Sequence, residues 1–118
     1  VPGVPVLPIV VGVSTVDEVA AVIEAVVPDA VLLCSTDLSH YRPDAEARQQ
    51  DERTARAVEA LRADLIGVRD ACGVFALRGT VEWARRAGLR ATRLALTTSA
   101  DSGGDPGRVV GYPAFAFA

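Results

Sequence analysis

Asp37-Leu38-Ser39-His40 contains the only histidine in the chain. An imidazole exchanges a proton near neutral pH or ligates a metal. Asp37 is near enough in sequence to hydrogen-bond that ring or to organise the loop backbone. The same four residues also read as an Asx turn that shapes the loop, with His40 a satisfied polar residue. Cys72 is the second candidate. It falls in the first turn of an expected helix, where the amide groups favour the thiolate, the nucleophilic and metal-binding form. Gly73 beside it has no side chain to crowd a ligand. The competing reading is a small buried hydrophobe, the usual state of a free cysteine. Cys34, inside an apolar run, reads as core. Ser99 to Asp105 (SADSGGD) has the acids and glycines of a calcium loop. It lacks the spacing and the closing bidentate Glu, and a hairpin loop fits it better.

The elements that position these residues follow from periodicity. Val4 to Val13 (VPVLPIVVGV) reads as a strand buried on both faces. Thr15 and Glu18 have capping-box spacing. Val16, Val19, Ala20, Ile23, Val26 and Val27 then make one helical stripe, stopped by Pro28. Ala30 to Ser35 reads as a second buried strand. Strand, helix and strand in this order predict a βαβ unit with parallel strands. Thr36 to Pro43 then lies at a strand's carboxyl end, where open α/β sheets bind ligands. Asp44 to about Leu65 reads as a long helix with Ala55, Val58, Leu61 and Leu65 facing inward. Asp51 falls on that stripe, and an inward carboxylate needs a partner. Asp70 is an expected N-cap for a helix running to about Ala87 and stopped by Gly88. Trp83 and Arg85-Arg86 on it read as packing and a solvated face. Ala91 to Thr98 and Arg108 to Phe117 are the last strands, and Pro113 calls for an edge or a bulge. The expected fold is α/β, a mostly parallel or mixed sheet flanked by helices, in one domain over residues 1–118.

Composition excludes several classes. Half of the 118 residues are apolar and the net charge is −3, which excludes disorder as the main state. The longest apolar run holds two prolines and a glycine and is far shorter than the ~20 residues of a membrane span. No basic cluster marks a nucleic-acid surface. The chain has no Met, so it lacks a start of its own, and no basic n-region of a secretory leader is visible. Two cysteines favour a reduced, cytoplasmic setting over a disulfide framework.

The segment STDLSHY at 35–41, Asp51, the Cys72-Gly73 pair, the loop from Thr98 to Asp105 and Val109-Val110-Gly111-Tyr112 fall in one order. That order resembles the C-terminal half of the Memo family, specifically the prokaryotic AmmeMemoRadiSam system protein B. The resemblance implies the fold of class III extradiol dioxygenases, which open aromatic diols with non-haem Fe(II). It implies a cleft where iron or copper is bound by two histidines and a cysteine. Here the cysteine is Cys72. His40 corresponds to the dioxygenases' general acid/base, and Asp37 lines the same pocket. The two ligand histidines belong to the family's N-terminal half, and no histidine remains here after His40. Tyr41 matches the prokaryotic motif, whereas Pro113 stands where a small residue is usual.

The chain thus reads as the C-terminal part of a Memo-like domain whose N-terminal half is absent. It is expected to expose apolar surface where that half would pack. It is also expected to be inactive alone, because a tight catalytic metal site takes at least three protein ligands. The implied function is a metal-binding redox role beside a radical SAM protein and an AMMECR1-like protein, on an unknown substrate. One alternative is a non-catalytic peptide- or protein-binding adaptor using the same cleft. The absence of basic residues in the loop before Arg42 weakens its use for phosphate. Another alternative is a Cys72–His40 nucleophile pair, as in cysteine hydrolases.

Overall fold

The computed structural model describes residues 2–118. The elements are α1 (Val16–Val26), β1 (His40–Arg42), α2 (Asp44–Glu59), α3 (Val74–Arg86), β2 (Ala91–Thr98) and β3 (Val109–Phe117), with three short 3-10 turns between them. The expected capping box starts α1: the Thr15 hydroxyl accepts from the Glu18 amide at 3.1 Å, and Glu18 reaches back to the Thr15 amide. Gly88, at φ +70, ends α3, and its neighbour Leu89 donates to the Ala84 carbonyl. Glycine suits that left-handed position because it has no Cβ to strain.

The sheet has three strands in the order β1–β3–β2, and both pairings are antiparallel. The α/β class stands, but the expected mostly parallel or mixed sheet is corrected. Val4–Val13 and Ala30–Ser35 carry no strand, so no parallel βαβ unit forms among the described residues. The physical reason is pairing. An apolar run reports what a strand wants to bury, whereas a strand exists only where a neighbour completes its ladder. Among the described residues no strand pairs with these segments, and Val10 and Val31 are each 97% exposed. Pro113 faces Leu96 of β2 and lies beyond the two residues of β3 that β1 reaches, so its missing donor costs no ladder bond on that side.

The long helix is also shorter than expected. It ends at Glu59, and Leu61 turns the chain at φ +55. Leu65 therefore leaves the inner stripe and is exposed, while Ala55 and Val58 are fully buried. The core lies between α2, α3 and the sheet, around Leu38, Val58, Ile66, Leu77 and Val81, with Leu96, Phe115 and Phe117 packed onto it. Among the described residues no helix is long and apolar enough to cross a membrane.

Helix α1 packs on α3 at Gly79, where an added Cβ would lie 2.1 Å from Val19 Cγ1. Gly79→Ala therefore sets two effects against each other. Helix propensity alone would raise stability by about 1 kcal/mol. The forced separation of the helices should cost about 1–3 kcal/mol. Urea unfolding followed by Trp83 fluorescence should show a lower midpoint with unchanged slope; a raised midpoint would mean the helices do not touch there.

Candidate metal centre

The site begins with an irregular strand pairing. Leu38 N–H donates to the Gly111 carbonyl at 2.9 Å, and Gly111 N–H donates to the Ser39 carbonyl at 2.9 Å. Two residues thus face one, which is a bulge. Ser39 is left with an amide and a hydroxyl to satisfy in the interior. Both go to Asp51 on α2: the amide donates to Oδ1 at 2.9 Å and the hydroxyl to Oδ2 at 3.0 Å. This is the partner the inward carboxylate required. Burial pushes the Asp51 carboxyl above its ordinary range, opposed by the two Ser39 bonds; the charge of Asp70 adds to the rise and His40 opposes it. Gly111 lies against the same carboxylate, since a Cβ there would meet Asp51 Oδ2 at 1.8 Å.

One residue earlier on α2, the buried Gln50 holds the other half of the site. Its amide donates to the Arg69 carbonyl at 3.1 Å and to Asp70 Oδ1 at 3.0 Å. Asp70 also accepts from Gly67 N–H at 2.7 Å, so it closes a turn and is not the N-cap of α3. The N-cap is Gly73, which places Cys72 before the helix and not in its first turn. Cys72 is exposed, unlike a core hydrophobe. Its amide donates to the Asp37 carbonyl at 3.1 Å, and Asp37 N–H donates to its sulfur at 3.3 Å. Thr36 completes the join: its hydroxyl accepts from Gly73 N–H at 2.8 Å and lies 3.4 Å from Cys72 Sγ.

Asp37, His40 and Cys72 come together, with one potential ligand atom from each within 4.8 Å of the others. The His40 ring is held by Leu38, not by Asp37: Nδ1 lies 2.9 Å from the Leu38 carbonyl. A carbonyl only accepts, so Nδ1 carries the proton and Nε2 keeps its lone pair in the neutral ring. Cys34 stays outside this group, half-buried, with its thiol pushed up chiefly by burial. The 99–105 segment is a connection and not an ion site: Asp101 accepts from Thr98 N–H at 2.9 Å and from Arg48 at 2.7 Å.

Sequence reasoning missed Thr36, Gln50 and the outer wall of the site. Tyr41 sits at φ +61, a costly conformation for a non-glycine residue. Its ring meets the His40 ring edge-on at 5.6 Å, and the Arg108 guanidinium lies over it at 4.3 Å. The signal for Gly111 was present, because a glycine inside an apolar strand marks a close backbone approach.

Two substitutions separate the charge of Asp51 from its hydrogen bonds. Asp51→Ala strands the Ser39 donors and should cost about 1–3 kcal/mol. Asp51→Asn keeps an acceptor for the amide and turns a donor to the Ser39 hydroxyl. The native carboxyl holds its proton more tightly than the unfolded one, whose ordinary value is 3.8. Its contribution is therefore greatest below that value and is lost as pH rises through the native value. Urea unfolding at several pH values should show the wild type gaining on Asp51→Asn as pH falls from neutrality; a difference independent of pH would contradict this assignment.

No family model matches this sequence, and no solved structure matches the chain. Curated relatives do match. A MEMO1 family protein of Aeropyrum pernix is 35% identical over 95 residues, covering 73% of this chain and 33% of the relative. One of Methanopyrus kandleri is 31% identical over 96 residues, covering 75% of the chain and 34% of the relative. One of Methanosarcina acetivorans is 30% identical and covers 92% of the chain and 46% of the relative. The chain thus spans between a third and a half of the length of these relatives. Over that span, the chain belongs to the MEMO1 family.

Proposed function

We propose that the Asp37–His40–Cys72 cluster binds a transition-metal ion, iron or copper, and that the complete family protein uses it in a redox reaction. The observation that supports this reading is the convergence of a thiol, an imidazole and a carboxylate from two chain segments, within 4.8 Å. Thiolate and imidazole are the donors that suit such ions. Three protein donors with an open face also match the ligand count of catalytic metal sites. The sequence had counted Cys72 alone as a ligand in this chain.

Cys72 Sγ would hold the ion, with His40 Nε2 and the Asp37 carboxylate completing the donor face. A bound redox metal supplies electron transfer to substrate. The protein supplies position: Asp37 N–H fixes the sulfur, and the Leu38 carbonyl keeps the proton on Nδ1 of His40. Where the remaining length of the relatives provides further ligands, His40 Nε2 is available to take or return a substrate proton, with Asp37 facing it. A radical SAM protein and an AMMECR1-like protein as partners, and the class III extradiol dioxygenase-like arrangement of the complete domain, extend the same reading from the family resemblance.

Cobalt(II) added to the reduced chain tests this reading. A thiolate-to-cobalt absorption band should grow to one equivalent, vanish in Cys72→Ser and persist in Cys34→Ser. His40→Ala removes one of the three donors and should weaken binding at least about tenfold, no less than the loss of a group that only supports a ligand. A band unaffected by Cys72→Ser, or no band at all, would overturn the proposal.

A further inference from the structure

The geometry points to a carboxylate-bearing small molecule as the ligand of this site, held through Arg108. The inference deepens the metal-site reading and takes the cluster described above as its inner end. Arg108 is exposed and, among the described residues, makes no ion pair or side-chain hydrogen bond. Acids of the adjoining 105–107 turn and of the start of α2, whose Asp44 N–H donates to the Pro106 carbonyl, have other partners. Asp105, three residues before it, accepts from Gly107 N–H at 2.8 Å. Asp44 is taken by Arg48 and Thr98. Glu46 faces Arg42 at 3.8 Å. Among the described residues Arg53, Arg69 and Arg90 also lack a carboxylate partner, and what sets Arg108 apart is its place over Tyr41, next to His40.

Its placement is specific. The guanidinium lies over the Tyr41 ring, 4.3 Å from its centroid, and the same ring makes a T-shaped contact with His40 at 5.6 Å. A guanidinium has five N–H donors, and two of them side by side match the two oxygens of a carboxylate. The left-handed Tyr41 backbone pushes the ring out of the strand while His40 and Arg42 pair with Val110 and Val109. Strain of this kind persists where surrounding structure enforces it and gathers at ligand sites. Charge also sorts the ligand. Asp37 and Cys72 make the inner end acidic or thiol-bearing, so an anionic group is repelled there and drawn to the Arg108 side. Arg42, next to Tyr41 in the chain, is paired with Glu46, and one unpaired guanidinium suits a carboxylate over a phosphate, which takes more donors.

His40 is the only histidine, so its ring gives one unambiguous NMR signal. Metal-free protein at constant pH and ionic strength is titrated with benzoate, and separately with inorganic phosphate. Benzoate should shift the His40 signal to saturation. Arg108→Gln should weaken that binding at least about tenfold, as loss of a charge-assisted fork predicts. Arg42→Gln removes the same charge from a neighbouring arginine and should change it less than about twofold. No saturable shift, or equal weakening by both variants, would overturn the inference. Tighter binding of phosphate than of benzoate would overturn the carboxylate assignment. Because no metal is present, failure here is distinguishable from failure of the metal site, which cobalt reports.

Discussion

Asp51 holds together segments that are far apart in sequence. Its carboxylate accepts both free donors of Ser39 and sits directly against the backbone of Gly111. A buried carboxylate left without such donors would be strongly destabilising. With them it ties α2 to the bulge between the 38–39 segment and β3. His40 and Tyr41 take their places from that bulge. Gln50, next to Asp51, binds the 69–70 turn that leads into Cys72. One turn of α2 thus positions both halves of the candidate site, and the direct bonds between Asp37 and Cys72 close it.

Packing is intolerant at two close approaches, one against the polar interior and one between helices. Gly111 cannot carry a side chain because the carboxylate occupies that space, and Gly79 cannot because Val19 of α1 does. In both places a backbone approaches another group more closely than a Cβ allows. The periphery is different in kind. Residues 4–13 and 30–35 are mostly apolar and carry no helix or strand, and Leu7, Val10, Val31 and Leu33 stand out in solvent. Exposed apolar surface on this scale is unusual for a monomer. These are the two segments whose periodicity predicts buried strands.

The site was legible in the sequence as residue types. A histidine three residues after an aspartate, and a cysteine before a glycine, were visible candidates. The inward position of Asp51 was visible from the helical stripe. Its partner was not, because Ser39 becomes a donor to the interior only through a bulge. Thr36 and Gln50 gave no signal, since a hydroxyl or an amide acquires a role only from what the fold brings beside it. Tyr41 and Arg108 are far apart in the chain, and neither has a pattern that pairs them. The helix starts at Thr15 and the stop at Gly88 were legible because caps are local. The start of α3 was misplaced because Asp70 was needed by Gly67 and Gln50 instead.

By itself the sequence determined the local periods: the inner stripe of α1, the inward Asp51, Ala55 and Val58 of α2, the cap at Thr15 and the stop at Gly88, the last two strands and the order of motifs that marks the family. These depend on neighbours within a turn or two of chain, which the sequence states directly. Tertiary structure alone decided which strands pair and in what direction, how far the helices extend, and which side chains share one small volume. Strand pairing is a relation between distant segments, so an apolar run such as Val4–Val13 names a face to be covered without naming what covers it. The convergence of Asp37, His40 and Cys72 is of the same kind, produced by bonds that Asp51, Gln50 and Thr36 make across the fold.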